Sequence, residues 1–237
     1  MDDAARTLRR LRRRRSARLL QLVLVTGLIG VAALLARPAS RRPTAEPPGP
    51  EGSGRLEAAT PAQPLGELAR ARGIRADPVR GARLQIDKSD LELRFFAGDA
   101  LLKRYPVALG SGGQGDKQRR DDGCTPEGEF RIVERVMQPN PRRWSDIWML
   151  LNYPLPEDAE RGLAAGLIDR AQRDAIVEAG QRGDTPLQNT RLGSGIGIHV
   201  GGIRPRDWTQ GCIALEREDG IEVCRQVRIG TPVTVRP

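Results

Sequence analysis

The chain has 237 residues, 39 Lys+Arg against 30 Asp+Glu and a formal charge of +9. Eight arginines against two aspartates make residues 1–18 alone +6, leaving +3 for everything after them. The charge therefore does not describe a basic folded surface, and a nucleic-acid-binding reading loses its main support.

Residues 19–36 follow the arginine block as an almost uninterrupted apolar run. About 18 such residues at roughly 1.5 Å rise just span a hydrocarbon core of about 30 Å. With the basic flank held inside, the tail 1–18 is cytoplasmic, 19–36 is a signal anchor, and the remainder faces outward. A cleaved signal peptide is the alternative. It wants a shorter apolar run and an Ala-x-Ala-like site, whereas Ala36-Arg-Pro-Ala-Ser puts a proline beside any plausible cut. Either reading exports the rest of the chain.

Residues 37–81 are read as a Pro-rich disordered linker, with prolines at 38, 43, 47, 48, 50, 61 and 64. As a coil it would average about 40 Å end to end. Leu65–Arg72 is a weak helical patch within it. From 82 onward the pattern is mainly β. Arg83–Asp87, Leu91–Phe96 and Leu101–Leu109 alternate as strands separated by Lys88-Ser-Asp and Ala97-Gly-Asp turns. The glycine loop from Gly110 leads to Thr125-Pro-Glu-Gly128, a type I turn signal, and to a strand over Glu129–Val136. Leu155–Gly180 carries helical spacing and reads as one or two short inserted helices, with Asp158 as a cap. A helix near Glu218–Val227 and a strand over Thr231–Val235 end the chain. Of eight aromatic residues, Trp144, Trp148, Tyr153 and Trp208 are placed where either a groove or a core could use them.

Most chemical information lies in Gly-Ile-Gly-Ile-His199-Val-Gly201-Gly and Asp207-Trp208-Thr209-Gln-Gly211-Cys212-Ile-Ala-Leu. His199 is the sole histidine. Alternation sends Ile196, Ile198 and Val200 to one face of a strand and His199 to the other. A short loop then returns to a Gly-Cys pair. A thiol needs a base to attack at neutral pH, and imidazole is the usual one. One His and one nearby Cys cannot complete a tetrahedral zinc shell, so no metal or cofactor is expected. A papain-type order would put the cysteine first. Cys124 and Cys224 could pair as a disulfide, since an exported domain permits one. The competing reading makes Cys224 a core residue on the face shared by Ile221 and Val227.

With Tyr105-Pro-Val-Ala-Leu-Gly110, Lys117 and Asp122-Gly-Cys-Thr-Pro-Glu-Gly128 ahead of them, these motifs resemble the L,D-transpeptidase catalytic-domain family (YkuD type) over about residues 82–237. The resemblance implies a β-sandwich-like fold acting on peptidoglycan stem peptides. It implies Cys212 as nucleophile, His199 as base or as half of a thiolate–imidazolium pair, and Gly211 and Cys212 amides as the oxyanion hole. Val200 or Gly201 would orient His199 through a carbonyl, with Asp207 as a lesser alternative. Thr209, Trp208 and Gly201 would line the substrate site. The chain departs from the family where Thr209-Gln210 replaces a Ser-His pair and Ala214 an arginine. Arg204 or Arg206 is the candidate replacement anchor. A hydrolase on the same substrates and a non-catalytic wall-binding domain are the alternatives, and no oligomeric state is implied.

Overall fold

The computed structural model describes residues 63–138 and 146–237. The arginine tail, the expected membrane span 19–36 and most of the Pro-rich linker lie outside the described residues, as does Trp144. No helix among the described residues is long and apolar enough to cross a membrane.

The strands are β1 (Ala82–Asp87), β2 (Glu92–Ala97), β3 (Ala100–Pro106), β4 (Gly128–Met137), β5 (Ile147–Leu151), β6 (Gly197–Val200), β7 (Ile213–Leu215) and β8 (Pro232–Arg236). Four helices accompany them: α1 (Leu65–Ala71), α2 (Pro156–Ala164), α3 (Arg170–Arg182) and α4 (Arg217–Gln226). Alternation in the first three strands produces two antiparallel ladders, with Leu84, Ile86, Leu93 and Phe95 buried. All eight strands join in the order β3-β2-β1-β8-β4-β5-β6-β7. The chain continuing from β3 then reaches the opposite end of that order. Ala108 and Ala214 exchange two backbone hydrogen bonds of 3.0 and 2.8 Å, and Thr209 N donates to Leu109 O at 3.0 Å. The sheet is thus one nearly closed surface rather than two separately stacked sheets. Closure satisfies the edges that a half-open sheet would expose.

Residues 65–71, expected within the linker, belong to the folded unit. Leu65 and Ala69 are fully buried, and Leu65 N donates to Glu222 on α4. Glu222 also accepts from Lys103 Nζ and the Tyr105 hydroxyl at 2.7 and 2.8 Å, so one carboxylate ties α1, β3 and α4 together.

The inserted segment forms two helices with a satellite core of Ala159, Ile168, Ile176 and Leu192. Asp158 is not the cap itself. It sits one turn in and accepts from Leu155 N at 2.8 Å. Asp169 caps α3 by accepting from Gln172 N, while Gln172 returns the bond to Asp169 N. The Gly110–Asp116 loop is fixed by Lys88, whose buried ammonium donates to Gly115 O, Thr125 O and Glu127 Oε1. All three donors of that ammonium are used.

Candidate active site

β6 and β7 run parallel, with Ile198 beside Ile213 and His199 beside Ala214. One step earlier in the same register Gly197 lies beside Cys212. Side chains alternate along each strand, so His199 and Cys212 share one face, diagonally placed. Both line a cavity of about 730 Å³ together with Trp148, Trp208, Thr209 and Lys117.

His199 is 4 % exposed, and its Nδ1–H donates to Val200 O at 2.8 Å. A carbonyl can only accept, so the neutral ring carries its proton on Nδ1 and its lone pair on Nε2. Of the three expected orienting groups, Val200 makes this contact. Trp148 stacks on the ring at 5.8 Å, and Trp208 meets it edge-on at 5.8 Å. Two glycines make room for these rings. A Cβ on Gly197 would come within 2.9 Å of Trp148, and one on Gly201 within 2.9 Å of Trp208. Burial lowers the His199 pKa, against the opposing pull of the Val200 carbonyl.

Cys212 follows a turn that only glycine enters easily. Gly211 has φ +122°, and a Cβ there would lie 2.7 Å from Cys124 O. Thr209 Oγ1 accepts from Gly211 N at 3.1 Å and donates to Cys212 O at 2.7 Å. Thr209 thus braces the turn that carries Cys212 while also lining the cavity. Its bond with Gly211 N directs that amide, one of the two expected oxyanion-hole donors, into the turn. The Cys212 thiol donates to Gly195 O at 3.4 Å. Burial raises its pKa, opposed by the Gly197 amide and the positive charge of Lys117. Burial thus pushes the two groups in opposite directions, the thiol up and the imidazole down.

Arg204 and Arg206 are exposed and do not line the cavity. Their loop leaves β6 through Gly202 at φ +85° and turns outward before Trp208 returns. Trp208 itself is 39 % exposed at the rim, its indole N–H donating to Gly202 O at 3.1 Å. Trp148 belongs to the cavity wall, whereas Tyr153 is core, its hydroxyl donating to Leu192 O. Cys124, Cys212 and Cys224 are all free thiols, and Cys224 is buried in the main core. Among the described residues no group of three or more His, Cys, Asp or Glu could hold a metal ion.

Lys117, Arg120, Asp121, Asn189 and Ser194 also line the cavity, positions that sequence reasoning did not anticipate. Lys117 is 2 % exposed, and its Nζ donates to Asp122 Oδ1 at 2.7 Å. Asp122 also accepts from the backbone N–H of Gln118, Arg119 and Cys124. Burial works against its charge, but Lys117 and these amides together hold its pKa below the usual range.

A family model described as the L,D-transpeptidase catalytic domain (YkuD) matches residues 81–235. Among solved structures, Bd1075 of Bdellovibrio bacteriovorus aligns at 19% identity, covering 66% of this chain and 48% of that one, with TM-score 0.41. The helical cell shape determining protein Pgp2 of Campylobacter jejuni aligns at 19% identity, covering 65% and 47%, with TM-score 0.45. An L,D-transpeptidase of Xylanimonas cellulosilytica aligns at 17% identity, covering 73% and 70%, with TM-score 0.38. The chain spans about half the length of the first two. A comparison with curated protein sequences finds no match. On the family model, which covers more than half of its residues, the chain belongs to the L,D-transpeptidase catalytic-domain family.

Proposed function

We propose that this protein is a cysteine-dependent acyltransferase acting on peptidoglycan stem peptides outside the cytoplasm, anchored by residues 19–36. The supporting observation is a Val200-oriented His199 and Cys212 on one face of one cavity, within a domain of this family.

In this reading the pair starts neutral. His199 Nε2 takes the thiol proton as Cys212 Sγ attacks the carbonyl of the third stem residue. The carbonyl oxygen becomes an oxyanion, stabilised by the Cys212 amide, which removes several kcal/mol of barrier in comparable sites. The intermediate collapses by breaking the C–N bond. The imidazolium returns its proton to the departing amine of the terminal D-amino acid. A thioester on Cys212 remains. An acceptor amine then attacks it, giving its proton to His199, and the thiol is restored with a new amide formed.

The test is product analysis by mass spectrometry, with disaccharide-tetrapeptide as substrate and Cys212→Ala as control. Crosslinked dimers that require Cys212 support transfer. Tripeptide and free D-amino acid without dimers replace transfer with hydrolysis. No Cys212-dependent product contradicts both, leaving a wall-binding domain.

A further inference from the structure

Lys117 has more hydrogen-bonding capacity than the protein uses. An ammonium carries three donors, and the three on Lys88 all find protein acceptors. Lys117 is similarly buried, its side chain 3% exposed, yet Asp122 Oδ1 is the one acceptor on its Nζ among the described residues. Asp122 does not spend its charge on Lys117 alone, since three backbone amides share it. A buried cation with unfilled donors is costly, and the usual remedy is an anion brought by a ligand.

The surroundings hold the lysine at the cavity wall. Its stem crosses Gly193, where a Cβ would approach Lys117 Cε to 3.0 Å. Its carbonyl accepts from Arg161 Nη2 at 2.8 Å, and Arg161 is itself held by Asp158. The inserted helix α2 therefore braces the backbone of a residue that lines the same cavity as Cys212.

We propose that Lys117 binds the α-carboxylate of the D-amino acid whose nitrogen is cleaved, in the role left open by Ala214, Arg204 and Arg206. This rests on the stem-peptide reading above and names the group that recognises the donor. That carboxylate is borne by the carbon attached to the scissile nitrogen. A cation in the same cavity as the nucleophile suits it, and the charge-assisted bond replaces water that both partners lose. Asp122 is a positioning residue: it aims the ammonium while leaving two donors for the ligand.

The test compares disaccharide-tetrapeptide ending in D-alanine with the same compound ending in D-alaninamide. Binding is measured by calorimetric titration of the Cys212→Ala protein, where no turnover interferes. The acid should bind about tenfold to a hundredfold tighter than the amide, the usual range for a hydrogen bond to a charged group. Lys117→Met should abolish that preference, and Lys117→Arg should retain part of it. Equal binding of acid and amide by the Lys117 protein overturns the proposal without reliance on any variant at that position. So does no binding of the tetrapeptide, or a preference that survives Lys117→Met. A preference for the acid without any Cys212-dependent product would sink the enzymatic reading and leave the anchor. Cys212-dependent turnover with equal kcat/KM on acid and amide would sink the anchor and leave the enzyme.

Discussion

His199 Nδ1 donates to the carbonyl of Val200, the next residue along β6, at 2.8 Å. The strand that presents the imidazole therefore also fixes its tautomer through its own backbone. Asp207, the side-chain candidate for orienting the ring, has a buried Oδ1 with no hydrogen-bond partner among the described residues. Burial lowers the His199 pKa and outweighs the Val200 carbonyl, which raises it.

That predicts a specific pH dependence. If His199 is the base proposed above, activity requires its neutral form, and its lowered pKa should move the acid limb of kcat/KM below pH ~6.5, the ordinary histidine value. The raised thiol pKa delays direct alkylation of Cys212. Peptide mapping after iodoacetamide should show Cys212 slower than a model thiol at pH 7 and accelerating toward alkaline pH. An alkylation rate already at its plateau at pH 7 would show a resting thiolate instead.

Thr209→Val removes both hydrogen bonds that hold the nucleophile's turn. Leaving the Gly211 amide and the Cys212 carbonyl unpaired should cost about 1–3 kcal/mol of stability. The kcat should fall on the order of tenfold to a hundredfold, as for a misplaced reacting group. Thr209→Ser keeps the hydroxyl and should restore most of both, as read by denaturant melts and steady-state rates.

Gly211→Ala tests the turn by strain. At φ +122° an added Cβ would also press on Cys124 O at 2.7 Å. Unfolding measurements should show a loss of about 1–3 kcal/mol or more, with activity largely abolished. A variant with parental stability and rate would mean that the turn relaxes without displacing Cys212.

Asp158 offers a stability prediction of the opposite sign from most carboxylates. Burial raises its pKa to about 6, although Leu155 N–H and Arg161 pull it down. The folded state therefore holds the proton more tightly than the unfolded chain. Its contribution is present below the unfolded value of about 4 and is lost as pH rises to about 6, a change on the order of 3 kcal/mol. The stability of the parent minus that of Asp158→Asn should fall across this window and level off above it. A flat difference would mean that Arg161 fully compensates the buried charge.

How much of this could be read from the chain depends on whether the signal was local. The strands of residues 82–106 alternate and are punctuated by turns, so they were legible to within three residues at each end. The His199 and Gly211-Cys212 motifs likewise announced a thiol–imidazole site. Ile147–Leu151 did not read as a strand, because Ile-Trp-Met-Leu-Leu is buried almost throughout and carries no alternation. The nearly closed sheet was hidden for another reason: it depends on Ala108 meeting Ala214, more than a hundred residues apart. Lys117 was visible as a motif letter but not as a cavity residue, since Gly193 and Asp122 place it. Arg204 and Arg206 lie outside the cavity lining because nearness in sequence to Cys212 says nothing of direction.

Acylation of Cys212 is the central claim, and intact-mass spectrometry after rapid acid quench tests it most directly. Protein mixed with disaccharide-tetrapeptide should gain the mass of the disaccharide-tripeptide acyl group, localised by digestion to the peptide containing Cys212 and absent from Cys212→Ala. Product formation by Cys212→Ala, or an adduct mapped to Cys124 alone, would contradict the account.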